Sequence, residues 1–286
     1  MKFFTNGRLK VHSHNITVEI YFRDFFKNIM SNIFSKIQIV LSSRKIFKNW
    51  YIYPMVYFKL TKKEYAVFET KLGQKIRIRV NSTDLMALTH VWLIEEYKRK
   101  KFEIKSNDVI IDIGAHIGLF TIYASQFSKN GEIYSFEPMK ENFELLNKNI
   151  ISNNLKKVKV FNLAVSNSNS TVTLFINNDE SGHSMFSESS ENIIVKSISL
   201  MKIFDNNNIK KCDLLKIDCE GAEYEIIEKL PSAYFKMIEK IIIEYHMVDS
   251  DPELLEKLKK VLESHNFKLE IKTLFTDIGF LYAIKN

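Results

Sequence analysis

From about residue 108 onward, short apolar runs alternate with stretches of helical periodicity, and this alternation limits the possible folds more than any other feature. The pattern predicts strands over 109–113, 132–136, 157–163, 171–176, 213–217 and 240–245. Between them it predicts helices over 119–127, 139–149, 220–229 and 252–264. Segments 267–272 and 278–284 read as a closing hairpin. Runs that short and apolar are buried on both faces, so strands alternating with helices imply βαβ units around a mostly parallel sheet. The expected class is therefore α/β, Rossmann-like, with helices on both faces and a C-terminal antiparallel hairpin. Ligands of such sheets sit at the carboxyl ends of the strands.

The first 107 residues lack that rhythm. Segments 52–60 and 64–80 read as strands, with 66–70 and 76–80 forming a hairpin around Gly73. A helix start at 82–84 leads into a helix over 85–98. Over 17–48, Ile20, Phe22, Phe25, Phe26, Ile29, Met30, Ile33, Phe34 and Ile37 recur at helical spacing, which predicts one or two amphipathic helices. The expected organisation is a basic extension, 1–60, and a catalytic domain, 61–286, with a lead-in over 65–105 and a core over 106–286.

Charge follows the same division. The chain carries +7 overall, and residues 1–50 alone hold nine Lys or Arg against two acids, so the remainder is balanced. The basic arm suits an acidic partner or peripheral contact with an anionic membrane. It also keeps open contact with RNA phosphates, although nucleic acid is not the expected partner. Cys212 and Cys219 form neither a CxxC pair nor a Cys/His cluster, which argues against structural zinc and fits a reduced, cytoplasmic setting. No signal peptide or membrane span is read from the sequence.

Four groups of residues carry chemistry, each at a strand's carboxyl end. Asp112-Ile-Gly114-Ala115-His116-Ile-Gly118 joins the first core strand to a helix. Its glycines allow a tight turn and close approach to a ligand. G-x-x-x-G behind an acid suits a cationic ligand better than the G-x-G-x-x-G of a pyrophosphate site. Glu137, followed by Pro138, ends the next strand, where an acid can accept both hydroxyls of a ribose. Asp218, Glu220 and Glu223 cluster where a strand meets a helix. Acids at a helix start also complement its dipole, which accounts for Glu220 and Glu223 without a site. Glu244 and His246 follow the next strand, expected to neighbour the one ending at 217. A histidine beside carboxylates suits a general base for a hydroxyl, a structural histidine, or a divalent-metal ligand. No metal is assigned from the sequence.

Taken together, DVIIDIGAHIGLFTIYAS, EIYSFEPMKENFELLNKNI, FNLAVSN, DLLKIDCEGAEYEII and IIIEYH resemble the FkbM family of S-adenosylmethionine-dependent methyltransferases. The resemblance spans about residues 75–285. It implies a class I methyltransferase fold and O-methylation of a hydroxyl on a sugar, glycan or natural product. S-adenosylmethionine is the implied cofactor, held by Asp112, Gly114, Ala115, His116, Gly118, Glu137 and Pro138, with Asn162, Ala164 and Val165 near the adenine. Asp218, Glu220 and Gly221 match the family's D-x-E-G segment at the reactive end. Asp218, Glu220, Glu244 and His246 form the expected catalytic set, with Asp218 also touching the cofactor. Segment 181–186, containing His183 and Ser184, is expected to meet the acceptor.

Overall fold

The computed structural model describes residues 2–5, 8–13, 16–21, 38–176, 183–184, 191–248, 251–274 and 278–286. Strands β1 (Lys2–Thr5), β2 (Arg8–Ser13) and β3 (Ile16–Tyr21) form a small antiparallel sheet. The helical periodicity expected from residue 17 therefore does not hold over 17–21. There, β-branched Ile16, Thr17, Val18 and Ile20 favour a pleated strand, and β2 supplies a partner. Residues 22–37, the centre of that expectation, lie outside the described residues. Helix α1 is described over 38–46.

Residues 52–60 also depart from expectation, because Ile52–Tyr57 form helix α2. Pro54 falls in its first turn, where its missing N–H costs no helical bond, and Tyr53 and Val56 bury one face. The hairpin follows as predicted, with β4 (Tyr65–Glu69) antiparallel to β5 (Lys75–Arg79). The helix expected over 85–98 is shorter. It runs through α3 (Asp84–Leu88) into a π-helical turn, Thr89–Leu93, and has ended by Glu95, whose φ is 54°.

The core then alternates as the sequence implies: β6 (Ile110–Ile113), α4 (Leu119–Ser125), β7 (Ile133–Phe136), α5 (Lys140–Ser152) and β8 (Val158–Phe161). Next come β9 (Ala164–Ser166), β10 (Thr171–Ile176), β11 (His183–Ser184), β12 (Glu191–Ser199) and α6 (Leu200–Asn206). Of these only β10 was anticipated as an element. The order β11-β10-β12-β9 makes a separate four-stranded sheet. The chain continues through β13 (Leu214–Ile217), α7 (Glu223–Glu228), α8 (Ser232–Phe235), β14 (Lys240–Tyr245), α9 (Pro252–Ser264), β15 (Phe267–Thr273) and β16 (Gly279–Lys285).

Seven strands form the central sheet in the order β15-β16-β14-β13-β6-β7-β8. All neighbouring pairs from β14 to β8 are parallel, and β16 lies antiparallel between β14 and β15. This is the Rossmann-like sheet with antiparallel hairpin that a class I methyltransferase requires. Strand alternation splits the core in two. Ile110, Ile133, Leu214, Ile242, Phe280 and Tyr282 pack on one face with α4, α5 and the lead-in hairpin. Ile111, Tyr134, Leu215, Ile241, Ile243 and Leu281 pack on the other face with α6 to α9. The open edge of β5 is closed by side chains of α5. Asn149 and Asn153, one helical turn apart, each accept from and donate to the β5 backbone, at Arg77 and Lys75.

Candidate active site

Asp112, Ser135 and Lys216 occupy one rung across β7, β6 and β13. Because they share the face covered by α4, their side chains meet. Thr121 of α4 donates to Asp112 at 2.6 Å and lies 2.9 Å from the Ser135 hydroxyl. Lys216 Nζ sits 3.3 Å from Asp112 Oδ1 and 3.4 Å from Asp218 Oδ2, and donates to the Gly114 carbonyl at 2.8 Å. Burial opposes the charge on Lys216, but Asp218, Asp112 and Glu244 outweigh it and hold its pKa above the ordinary value. A lysine between Leu214-Leu215 and Ile217 was a readable signal, because a cation inside an apolar strand requires partners.

The glycine loop wraps the end of β7. The N–H groups of Gly114 and Ala115 both donate to the Phe136 carbonyl, and that of His116 donates to Glu137 Oε2 at 2.8 Å. Gly114, His116 and Gly118 all have positive φ, at 72°, 51° and 89°. The space that a Cβ would take at each of the two glycines is filled by protein. A Cβ on Gly114 would lie 1.7 Å from the Asp218 carbonyl oxygen, and one on Gly118 would lie 2.6 Å from Leu146 Cδ1. The glycines thus let β6 meet β13, and α4 meet α5.

Glu137 is buried, and its two oxygens accept separately from the His116 and Met139 N–H groups. Burial pushes its carboxyl up to about 7, although those bonds and the Asn142 amide pull the other way. Asn162 donates to the Glu137 and Pro138 carbonyls at 2.9 Å and so ties the ends of β8 and β7 together. Ala164 is buried in β9, in the four-stranded sheet, where it pairs with Ser197. His116 Nε2 lies 3.3 Å from Arg79 Nη2 and 3.4 Å from Asp84 Oδ1. Burial lowers its pKa. Arg79 and Asp84, from the lead-in, were not anticipated as neighbours of this loop.

The second half of the site lies at the ends of β13 and β14. The strands pair in parallel with Ile217 opposite Ile243, which brings Asp218 beside Glu244. One donor atom each from Asp218, Glu244 and His246 lie within 4.8 Å of one another. His246 Nε2 is 3.7 Å from Glu220 Oε2 and 4.0 Å from Glu244 Oε1. The residue that positions His246 is Glu223, which the sequence offered only as a helix-start acid. Fully buried, its Oε1 takes the His246 backbone N–H at 2.9 Å and faces Nδ1 at 3.2 Å, while Oε2 accepts from the Gly221 N–H. Burial alone would lower the His246 pKa, but the bond to Glu223 and the charges of Glu223, Glu220 and Asp218 lift it to about 10. Burial raises Glu220 to about 7 and also raises Glu244, which Asp218 reinforces. Tyr97 reaches Glu244 from the lead-in, with its hydroxyl 3.4 Å from Oε2.

Of the segment expected to meet the acceptor, His183 and Ser184 form β11 beside β10, and 181–182 and 185–186 lie outside the described residues. Among the described residues, no helix is long and apolar enough to cross a membrane.

A sequence model for the family described as the methyltransferase FkbM domain matches residues 112–269, more than half of the chain. The chain is 23% identical over 203 residues to the 31-O-demethyl-FK506 methyltransferase FkbM of Streptomyces tacrolimicus, covering 60% of this chain and 76% of that protein. It is 25% identical over 183 residues to the hexuronic acid methyltransferase AglP of Haloferax volcanii, covering 63% and 71%. A crystal structure of methyltransferase FkbM from Methylobacillus flagellatus superposes with a TM-score of 0.47 at 15% identity, covering 70% of this chain and 53% of that one.

Proposed function

Because the chain belongs to the FkbM methyltransferase family, we propose that it is an S-adenosylmethionine-dependent O-methyltransferase acting on a hydroxyl of a sugar, glycan or natural-product acceptor. The observation that carries this reading is the convergence of Asp218, Glu220, Glu244 and His246 beside a glycine loop closed onto Glu137. The two similar proteins named as methyltransferases of 31-O-demethyl-FK506 and of a hexuronic acid support the acceptor class.

The residues present fit the cofactor. Oε2 of Glu137 accepts one N–H, from His116, and keeps a lone pair for a ribose hydroxyl, while Oε1 accepts from the Met139 N–H and, at 3.4 Å, from the Asn142 amide. Asp218, partly exposed at the end of β13, would place negative charge where a sulfonium cation is favoured, and Asp112, buried against Lys216 and Thr121, would support the loop from below. Gly114, Ala115, His116 and Gly118 would line the amino-acid end, and Pro138, Asn162 and Ala164 the adenine side. S-adenosylmethionine, when bound, supplies an electrophilic methyl group. Asp218, Glu220, Glu244 and His246 would line the acceptor side and orient the hydroxyl in line with that methyl. Glu220, the most exposed acid of the cluster at 34%, would take the hydroxyl proton at the pocket mouth.

Calorimetric titration of S-adenosylmethionine, with Glu137→Ala and NAD as controls, tests the reading. Micromolar binding that Glu137→Ala weakens at least tenfold, with none for NAD, is the expected result. No binding, or a preference for NAD, would overturn it.

A further inference from the structure

We infer that Asp218, Glu244 and His246 form a binding site for a divalent cation of the Mg2+ or Mn2+ type, although the sequence alone assigns no metal here. Ligands of such an ion lie about 2.1 Å from it and so about 3–4 Å from one another. The three donor atoms, within 4.8 Å of one another, need only a small closure to reach that spacing. Their placement follows from the fold. Asp218 and Glu244 leave adjacent parallel strands one step beyond a paired rung, and His246 follows two residues later.

The second and independent observation is how His246 is held. Its side chain is only 8% exposed. Glu223 takes the Nδ1–H and the backbone N–H with one oxygen and is itself fixed by the Gly221 N–H through the other. Among the described residues Nε2 makes no hydrogen bond, and it points between Glu220 and Glu244. A buried carboxylate that sets the histidine tautomer and presents the other nitrogen is the arrangement by which proteins orient a metal-binding imidazole.

The charge balance agrees. Asp112, Asp218 and Glu244 act on Lys216, whose ammonium lies 3.4 Å from Asp218 Oδ2 and leaves Oδ1 for an ion. Two carboxylates with one imidazole favour a hard or borderline cation over a thiolate-seeking one. Cys219 supplies no ligand, because its Sγ lies 3.6 Å from Glu223. Three protein ligands leave about three positions open on an octahedral ion. An acceptor with two adjacent oxygens, a vicinal diol or an α-hydroxy acid, would fill two of them. The cation site itself stands on geometry, and only this acceptor role rests on the methyltransferase reading.

The test is Mn2+ binding to the chelator-treated full chain, followed by electron paramagnetic resonance, with S-adenosylmethionine calorimetry and circular dichroism in parallel. One Mn2+ per chain with sub-millimolar affinity is expected. His246→Ala and Glu244→Gln should each weaken it more than tenfold, and Glu223→Gln by about 10–100-fold, in folded chains that still bind S-adenosylmethionine. A wild-type chain that binds S-adenosylmethionine but no Mn2+ at millimolar concentration would overturn the site. So would Mn2+ binding indifferent to His246→Ala and Glu223→Gln. Mn2+ binding that behaves as expected in a chain with no affinity for S-adenosylmethionine would support the cation site and remove the proposed function.

Discussion

At the residue scale, Glu137 sets a pH dependence with two opposite signs. Burial raises its folded carboxyl to about 7, above the unfolded value of about 4.5. The stability this gives is complete below the unfolded pKa and is lost as pH rises through the folded one. Ribose hydroxyls, in contrast, are accepted best by the ionised form. Between pH 5 and pH 8, thermal stability should therefore fall while S-adenosylmethionine affinity rises, and Glu137→Gln should flatten both curves. Parallel melting and calorimetry across that range check this; a wild-type affinity that stays flat would contradict it. Gly114→Ala should cost about 3 kcal/mol or more, because its Cβ would strike the Asp218 carbonyl at a φ of 72°; chemical denaturation measures it. Glu137 was legible because an acid closing an apolar strand stands out. Glu223 was not, because an acid in the first turn of a helix already has a sufficient explanation in the dipole, and its partner at His246 lies 23 residues away.

At the element scale, β5 is an edge strand whose polar backbone is satisfied by one helix turn. Asn149 accepts from Arg77 and donates to the carbonyls of Arg77 and Ile117. Asn149→Ala leaves those groups unpaired where the side chain was 1% exposed. The expected cost is about 2–3 kcal/mol, or about 5–10 °C in Tm; a scan of the variant that melts within a degree of wild type would contradict this. Elements with strong local patterning were legible to within a few residues, as α9 and the hairpin β15–β16 show. The helix at 52–57 was not, because aromatic residues on both sides of Pro54 mimic a strand, and the burial that chooses the helix comes from β4. Strand β3 was missed for the opposite reason. Its apolar spacing fits both periods, and only pairing with β2 decides.

At the scale of the whole molecule, charge and sheet order tell different stories. The positive charge lies in residues 1–50 and the rest is balanced, so attraction to anionic vesicles should fall steeply as salt rises. S-adenosylmethionine affinity should change little over the same range. Cosedimentation with phosphatidylserine vesicles at two salt concentrations checks the first statement; salt-insensitive retention would refute it. The central sheet was legible in sequence because its strands are buried on both faces. The four-stranded sheet was not, because three of its strands are short or follow a polar stretch. The strand order also has a consequence during synthesis. β16, the last strand to leave the ribosome among the seven, sits between β14 and β15. Until residues 279–285 emerge, β14 has one bare edge and β15 has no partner, so a nascent chain carries exposed strand edges beside a finished α/β half. Chains stalled before residue 279 should therefore be cut by protease in the 240–273 region, and chains in which residues 279–285 have emerged should resist. The central sheet is closed by residues 279–285, so the step that commits it to its native order waits for the strand that fills the gap between β14 and β15.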